Sequence, residues 1–246
     1  MATFVCHDDR VALVTGASRG IGRAVALALA ACGAKIAVNF RSRAREAEAV
    51  VAAIEARGGK AVAVAADVSV TAAVEAMLTT VAAQLGSVDL LINNAGVAIH
   101  RNIDDLSEAD FDQTIATNLK SAFLCTRAVV PGMRERRFGR IVNISSGAAR
   151  GAGVVGVHYN ASKAGLEGLT RGYAARLAQY GITVNAVAPS LIDTEMMQAA
   201  ANEAVQRIPV GRKGMPEEVA QAVVMVTANA YMTGQTVQLN GGLHFN

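Results

Sequence analysis

Cysteine is scarce in this chain, and its spacing fits neither a disulfide framework nor a zinc site. The three cysteines, Cys6, Cys32 and Cys125, lie far apart, and none belongs to a Cys-x-x-Cys pair. We expect them to be small buried apolar residues. An excess of charge of one sign is also missing, because the formal net charge is +3 and the basic residues are dispersed. The composition therefore gives no reason to expect nucleic acid as a partner.

Signals for export and for a membrane span are absent from the pattern as well. The first ten residues include acidic side chains where a secretory signal needs basic ones followed by an apolar run. The apolar stretch 24–34 is too short to cross a bilayer. We therefore expect a cytoplasmic protein with no membrane partner.

Apolar residues are plentiful, and they are arranged as alternating strands and helices. Hydrophobic residues make up 52% of the chain, which is ample for one large core. Strand-like segments separated by helical ones occur at 11–15, 35–40, 61–65, 88–92, 140–146, 182–187 and 236–239. No repeat or linker interrupts this alternation, so we predict a single domain over residues 1–246. Its expected fold is α/β: a doubly wound, Rossmann-type parallel sheet of about seven strands with helices on both faces.

A glycine-rich turn follows the first predicted strand. The segment Gly16-Ala-Ser-Arg-Gly-Ile-Gly22 comes directly after that strand and opens an alanine-rich helix. Strand, turn and helix in this order make a phosphate-binding turn credible. Glycines let the backbone approach a pyrophosphate, whose charge is favoured at a helix N-terminus. The spacing differs from Gly-x-Gly-x-x-Gly, so a tight turn without a ligand stays an alternative at this point.

A second group of polar residues surrounds the fifth predicted strand. The strand ends in Ser145 and Ser146, and a helix that follows contains Tyr159 and Lys163 four residues apart. Residues at this spacing share one helix face. A neighbouring ammonium lowers the pKa of a phenol from its usual value of about 10, which prepares it for proton transfer. The alternative for Tyr-x-x-x-Lys alone is an ordinary surface turn of a helix.

Taken together and in this order, the motifs resemble those of the short-chain dehydrogenase/reductase family. They are Thr15-Gly-Ala-Ser-Arg-Gly-Ile-Gly22, Asn93-Asn-Ala-Gly96, Asn118, Ser146, Tyr159-x-x-x-Lys163 and Asn185-x-x-x-Pro189. The resemblance spans about residues 10–242. Segments 140–146 and 181–185 are most similar to the 3-oxoacyl-[acyl-carrier-protein] reductases, a branch with relatives that act on acyl-CoA thioesters.

The resemblance implies a role for each matched residue. Tyr159 would be the general acid in reduction, and Lys163 would lower its pKa and hold the nicotinamide ribose. Ser146, rather than Ser145, would orient the substrate carbonyl. Asn118, at a mid-helix position where asparagine ordinarily faces solvent, would anchor a water of a proton relay. The cofactor cleft would be formed by Gly16, Ser18, Arg19, Ile21 and Gly22 at the phosphates, Asp67 and Val68 at the adenine, Asn94, Ala95 and Gly96 along its length, and Pro189, Ile192 and Thr194 towards the carboxamide.

The end of the second strand bears on the choice of cofactor. In this family an acidic residue there would bind the ribose hydroxyls of NAD. This chain has Phe40 followed by Arg41, and Arg19 can approach the same place. The resemblance therefore implies NADPH, and two solvated surface arginines are the alternative.

A basic run precedes the strand that ends at Ser146. Arg136 and Arg137 match a basic stretch of the acyl-carrier reductases, and with Arg134 and Arg140 they would attract an acyl carrier protein or a phosphopantetheine arm. Tyr180 departs from that pattern, so a CoA thioester stays open. The predicted reaction is NADPH-dependent reduction of a 3-oxoacyl thioester. A sugar or polyol dehydrogenase and a non-catalytic NADP-binding regulator are the alternatives.

Three glycines lie on one face of the helix that begins near Tyr159. Gly165, Gly168 and Gly172 each cost about 1 kcal/mol relative to alanine in a helix interior. Close approach of another helix or subunit would compensate for that cost. With the family resemblance, this face implies a homotetramer that uses the helices beginning near Ser107 and Tyr159.

Overall fold

The computed structural model describes residues 7–195 and 205–245. Of the cysteines, Cys125 is buried and Cys32 is partly buried, whereas Cys6 lies outside the described residues. Within the described ranges no helix combines the length and the apolarity that a bilayer crossing requires. The same ranges hold no group of three or more His, Cys, Asp or Glu residues suited to a metal ion.

Seven strands in the described part of the chain form one parallel sheet. They are β1 (Val11–Val14), β2 (Lys35–Phe40), β3 (Ala61–Ala65), β4 (Leu90–Asn93), β5 (Gly139–Ile144), β6 (Ile182–Pro189) and β7 (Thr236–Leu239). Their order across the sheet is β3-β2-β1-β4-β5-β6-β7, with every neighbouring pair parallel. This confirms the predicted doubly wound sheet. The strand order reverses between β1 and β4, and a crevice at the carboxyl ends of the strands is where such sheets bind ligands.

Helices cover both faces of the sheet. They are α1 (Gly20–Ala31), α2 (Ala44–Glu55), α3 (Thr71–Gln84), α4 (Glu108–Ile115), α5 (Ser121–Arg136), α6 (Val157–Leu177) and α7 (Pro216–Ala228). Side chains of β1 alternate between the faces, so Ala12 and Val14 pack with α1, α2 and α7, while Val11 and Leu13 pack with α3, α5 and α6. The alternation explains why one apolar strand contributes to two separate cores.

The connection between α4 and α5 contains a π-helical turn, Ala116–Lys120. Ser107 begins α4 with the predicted capping box, in which Ser107 and Asp110 satisfy each other's backbone N–H groups. An asparagine in the middle of a helix ordinarily faces solvent, but Asn118 is only 2% exposed. A π-helical turn carries more residues than an α-helical one and rotates the following side chains. Here it directs Asn118 towards α6 and the segment after β4.

The basic residues Arg136, Arg137 and Arg140 lie at the opposite edge of the sheet from Ser146, so within one subunit they do not border the cleft, and their predicted contact with an acyl carrier stays a prediction. Their guanidinium groups donate to backbone carbonyls there: Arg136 to Val88, Arg137 to Gln179, and Arg140 to Gly139, Gly181 and Thr227. Ser146 follows the carboxyl end of β5. A strand rises about 3.3 Å per residue, so roughly 20 Å separates Arg140 from Ser146. Nearness in sequence did not mean nearness in space, because the strand crosses the whole sheet.

The glycine face of α6 divides into a packed part and an open part. A Cβ at Gly165 would lie 2.8 Å from Leu119 Cδ2, so this glycine permits close packing within the chain. At Gly168 a Cβ would meet nothing within 4 Å, and at Gly172 it would meet only Arg176 of the same helix, at 3.9 Å. Packing inside the chain therefore explains Gly165 but not Gly168 or Gly172.

Candidate active site

A cleft of about 760 Å³ lies at the carboxyl edge of the sheet, on the side where the strand order reverses. This volume is within the range of small-molecule sites. The cleft brings together every predicted site residue except Asn118: Gly16, Ser18, Arg19, Ile21, Gly22, Arg41, Asp67, Val68, Asn94, Ala95, Gly96, Ser146, Tyr159, Lys163, Pro189, Ile192 and Thr194. Residues at or just after the ends of six strands, β1 to β6, thus meet in one concave surface.

The glycine-rich turn has the geometry of an anion cradle. Gly16 has a φ of +62°, which side chains disfavour, and a Cβ at Gly22 would lie 2.5 Å from the Gly16 carbonyl oxygen. Asn94 Nδ2 donates to the Thr15 carbonyl at 2.9 Å and to the Gly16 carbonyl at 3.1 Å, which ties the turn to β4. No side chain caps the first turn of α1, so its backbone N–H groups remain donors for a ligand. These features fit a dinucleotide pyrophosphate.

Asn39, near the end of β2, supports the same turn and was not predicted from the sequence. It is buried, its Oδ1 accepts from the Gly16 N–H at 3.2 Å, and its Nδ2 reaches the backbone carbonyls of Val64 and Ala66. It therefore ties β1, β2 and β3 together beside the cleft. The sequence does carry a signal for Asn39. It is an asparagine within an apolar strand, and a buried amide needs hydrogen-bond partners.

Asp67 lines the cleft just after β3, and its predicted contact with adenine stays a prediction. Its Oδ1 accepts from the backbone N–H of Ser69 at 2.9 Å and from the Ser69 hydroxyl at 2.6 Å. These bonds hold the pKa of the Asp67 carboxyl below its usual value, with the hydroxyl as the larger cause. Arg41 Nη1 lies 3.9 Å from Asp67 Oδ2. The carboxylate is thus charged at neutral pH and held at the end of β3.

Two guanidinium groups meet at a single carboxylate oxygen near the start of α1. Arg19 Nη1 and Arg43 Nη2 both contact Glu195 Oε2, Arg43 at 3.5 Å. Arg43 lines the cleft but was not predicted, although it follows β2 by three residues in the run Arg41-Ser-Arg43. The convergence shows that Arg19 and Arg43 can hold one anionic group between them.

Ser146, Tyr159 and Lys163 form one cluster in the cleft. The Ser146 hydroxyl lies near enough to the Tyr159 phenol to influence its pKa. Burial raises the pKa of Tyr159 above its ordinary value, and Ser146 opposes that shift. Lys163 Nζ donates to the Ile144 carbonyl at 2.8 Å and lies 5.7 Å from the centre of the Tyr159 ring.

The causes that shift the Tyr159 pKa in this structure are burial and Ser146, so the lowering expected from Lys163 stays a prediction. The Lys163 ammonium is directed at a backbone carbonyl, and burial lowers the pKa of Lys163 itself to about 8. Desolvation is the largest cause for both side chains because the cleft wall excludes water from them. The phenol is therefore protonated at neutral pH.

Ser145 and Ser146 face different neighbours. The Ser145 hydroxyl donates to the Lys163 backbone carbonyl at 3.2 Å and lies 3.5 Å from Glu167 Oε1. Ser146 instead lies near Tyr159 and accepts from the Ala148 N–H at 3.2 Å. The arrangement favours Ser146 as the residue that would meet a substrate.

Asn118 does not line the cleft, but it links the segment after β4 to α6. Its Oδ1 accepts from the Val97 N–H at 2.8 Å, while its Nδ2 donates to the Val97 carbonyl at 3.0 Å and to the Ser162 hydroxyl at 3.2 Å. Both amide hydrogens are used. Asn118 therefore fixes the segment after β4 against α6, and a bound water would have to use its remaining acceptor capacity.

A loop after Ser146 forms an apolar wall opposite the glycine-rich turn. Its cleft-lining members are Ala148, Ala152, Gly153, Val154 and Val155. Asn160 of α6 pins the loop by donating to the carbonyls of Gly151 at 2.8 Å and Ala152 at 2.6 Å. The wall offers methyl groups rather than hydrogen-bonding side chains to whatever occupies this end of the cleft.

Comparisons with known proteins agree with the fold and the cleft. A family model described as short chain dehydrogenase matches residues 10–204. A 3-oxoacyl-[acyl-carrier-protein] reductase of Synechocystis sp. is 44% identical over 238 residues, which cover 95% of this chain and 96% of the relative. An acetoacetyl-CoA reductase of Rhizobium meliloti is 42% identical over 244 residues, or 96% of this chain and 99% of the relative.

Two solved structures are also similar. A putative gluconate dehydrogenase from Agrobacterium tumefaciens has a TM-score of 0.93 and 36% identity, covering 98% of each chain. A 3-oxoacyl-[acyl-carrier protein] reductase from Brucella melitensis has a TM-score of 0.92 and 34% identity, covering 98% of this chain and 94% of that one. The chain therefore matches these proteins over nearly its whole length, which includes the sheet and the cleft.

Proposed function

Because the chain belongs to the short-chain dehydrogenase/reductase family of oxidoreductases, we propose that it reduces a 3-oxoacyl thioester to the 3-hydroxyacyl thioester with NADPH. The observation that carries this proposal is that Ser146, Tyr159 and Lys163 line the same cleft as the anion cradle. One cleft then holds a proton donor next to a place for a dinucleotide.

The cofactor would bind along the carboxyl edge of the sheet. The turn from Gly16 to Gly22 and the first N–H groups of α1 would hold its pyrophosphate, and Asp67 and Val68 would flank the adenine. Asn94, Ala95 and Gly96 would line its middle, with Pro189, Ile192 and Thr194 towards the carboxamide. When bound, NADPH supplies the hydride that goes to the carbonyl carbon.

The protein would supply the proton. Tyr159 would donate its phenolic proton to the carbonyl oxygen as negative charge develops there, and Ser146 would hold that oxygen by a hydrogen bond. Burial raises the pKa of Tyr159, so the phenol carries its proton at neutral pH, and Ser146 and Lys163 would offset this shift as the proton leaves. Lys163 would stabilise the phenolate left behind and hold the ribose, and Asn118 would anchor a water that returns the proton.

Three arginines support NADPH rather than NADH. No carboxylate follows Phe40 at the end of β2, where one would favour the ribose hydroxyls of NAD. Arg19 and Arg41 line this end of the cleft, and Arg43 joins Arg19 at one anionic oxygen. Cationic groups that already converge on a carboxylate are suited to the 2′-phosphate that distinguishes NADPH.

The apolar wall supports an acyl substrate. Ala152, Val154 and Val155 present no polar side-chain atoms to the cleft, so they suit a hydrocarbon chain better than a row of hydroxyls. Relatives named for acyl-carrier and acetoacetyl-CoA substrates are 44% and 42% identical to this chain. Arg136 and Arg137 lend no support within one subunit, because they lie at the far edge of the sheet.

A sugar-derived alcohol is the second candidate. The observation in its favour is the solved structure titled as a putative gluconate dehydrogenase, which matches with a TM-score of 0.93. Fold similarity does not determine the substrate. A non-catalytic NADP-binding regulator is the third, and the presence of the whole cluster around Tyr159 weighs against it.

The deciding experiment compares substrates on the purified protein. Acetoacetyl-CoA, an acetoacetyl carrier protein, gluconate and a sugar ketone would each be assayed at the nicotinamide absorbance band with both cofactors. We expect the highest kcat/KM for a thioester with NADPH. A higher value for gluconate or the sugar ketone would reject the thioester, and NADPH binding without turnover of any substrate would favour the regulator. We also propose a homotetramer and a cytoplasmic location.

A further inference from the structure

A buried carboxylate lies close to the proposed catalytic cluster but has no part in the chemistry above. Glu167 is on α6, four residues after Lys163 and eight after Tyr159, so the three share a helix face. Its side chain is only 5% exposed. Glu167 Oε2 accepts from Arg150 Nε at 3.0 Å, and Glu167 Oε1 lies 3.5 Å from the Ser145 hydroxyl.

These two partners lie on either side of Ser146 in the sequence. Ser145 precedes it directly, and Arg150 follows the short 3₁₀ turn Gly147–Ala149 that Ser146 begins. One carboxylate therefore contacts the chain immediately before and shortly after Ser146, the residue proposed to hold the carbonyl oxygen. The next part of the chain, residues 151–155, is the apolar wall of the cleft.

The charge of Glu167 is costly at this position. Removing a carboxylate from water is expensive unless it is paired, and apolar residues of similar volume often replace buried ion pairs without loss of stability. The pair is also unequal, because the Arg150 side chain is 41% exposed while Glu167 is almost fully buried. Stability alone therefore gives little reason for this carboxylate.

We propose that Glu167 and Arg150 are positioning residues for Ser146 and for the apolar wall. This inference rests on the proposed function, since it assigns the pair a role in orienting the carbonyl. Glu167 holds Ser145 and Arg150 against α6, the helix that carries Tyr159. The Ser146 hydroxyl consequently keeps its place beside the phenol. Misplacement of a catalytic group by about 1 Å can cost a hundredfold in rate.

A double substitution separates positioning from stability. Arg150→Ala alone leaves the Glu167 carboxylate buried and unpaired, so the Tm should fall. Adding Glu167→Gln removes the buried charge, and the Tm of Arg150→Ala/Glu167→Gln should return towards that of the wild type. A purely structural pair would recover activity together with stability. A positioning pair would not, because the loop has still lost its anchor.

Four measurements on the wild type and these variants test the proposal: Tm, kcat, the Kd of NADPH, and hydrogen exchange of the amides of residues 146–156. For the double variant we expect a kcat lowered by about tenfold to a hundredfold, faster exchange in this loop and an unchanged Kd. Arg150→Lys, which keeps a cation near Glu167, should recover part of the kcat. Arg176→Ala is the matched control. Arg176 is an exposed arginine of the same helix, and its guanidinium donates to the Gly172 carbonyl.

The outcomes are distinct. A double variant with wild-type kcat, or one whose loop exchanges no faster than in the wild type, overturns the proposal. So does an equal loss of kcat in Arg176→Ala. If the wild type reduces none of the ketones tested, the proposed function is rejected. Hydrogen exchange of residues 146–156 in the double variant, once its Tm has returned towards that of the wild type, still decides whether Glu167 and Arg150 hold this loop.

Discussion

Ser146, which follows β5, and Tyr159 of α6 line the same cleft, and the Ser146 hydroxyl lies near enough to the Tyr159 phenol to influence its pKa. Thirteen residues separate them in sequence, and the intervening loop returns the chain so that the two side chains meet in the cleft. Burial raises the Tyr159 pKa, and the serine hydroxyl favours the phenolate and so opposes the shift. Loss of the proton from Tyr159 is therefore eased by the group that would also touch the carbonyl oxygen.

Tyr159→Phe should abolish turnover and leave the cofactor site intact. The substitution removes only the phenolic oxygen, and the ring still packs in the cleft wall. General acid catalysis contributes about 10²–10⁴-fold, so kcat should fall at least a hundredfold. The Kd of NADPH, measured by fluorescence titration, should stay within about twofold of the wild type. A variant that kept more than about a tenth of the activity would exclude Tyr159 as the acid.

The rate of ketone reduction should decline as the pH rises through 8. Burial lowers the Lys163 pKa from 10.5 to about 8, so the ammonium that would stabilise the phenolate is lost above that pH. The effect of pH on folding stability runs in the opposite direction. Below pH 8 the buried charge of Lys163 disfavours folding, and this cost disappears as the pH rises from 8 towards 10.5. Single-turnover rates from pH 6 to 9.5 would check the first statement. A flat profile over that range would contradict it.

The guanidinium pair at the start of α1 should select the 2′-phosphate. A charged hydrogen bond contributes about 1.5–3 kcal/mol, or roughly ten- to a hundredfold in affinity. Arg19→Ala and Arg43→Ala should each weaken binding of 2′,5′-ADP by about tenfold and leave 5′-AMP almost unchanged. Arg41→Ala should have the smaller effect, because Arg41 is directed towards Asp67. Arg45→Ala, in the first turn of α2, is the control.

Cofactor kinetics provide an independent check on the same assignment. The wild type should show a higher kcat/KM with NADPH than with NADH, and the difference should shrink in Arg19→Ala. Equal values for the two cofactors in the wild type would refute the selection of NADPH by these arginines.

Gly168→Leu should disrupt assembly without disturbing the fold of the subunit. A Cβ at Gly168 would meet nothing within 4 Å, so a larger side chain there would start from open space that a neighbouring subunit is proposed to fill. Light scattering should report a tetramer for the wild type and smaller species for the variant, with unchanged circular dichroism. Gly165→Leu is the contrast, because it would clash with Leu119 and lower the Tm. A stable wild-type monomer at micromolar concentration would reject the tetramer.

Local pattern was sufficient for the sheet and for much of the cleft. The alternation of apolar strands and helices predicted that the strands run parallel. Short strands joined by helices have few other ways to bury both faces of a sheet. Gly16 and Gly22 were recognisable because their turn needs residues without side chains. Tyr159 and Lys163 share a helix face by their spacing alone. Each of these leaves a signal in residues that are close together in the sequence, although the sheet itself pairs strands that are far apart in it.

Relationships between distant segments were decided only by the tertiary structure. Arg136 and Arg140 are close to Ser146 in sequence, but β5 places them at the opposite edge of the sheet. Glu167 has no sequence motif, because its partners come from a loop whose path no local pattern describes. Lys163 is predicted to act on Tyr159, and the structure adds that its ammonium bonds to a strand carbonyl and that burial shifts the pKa of both groups. Side-chain direction and desolvation arise from packing, and packing exists only once the strands and helices have come together.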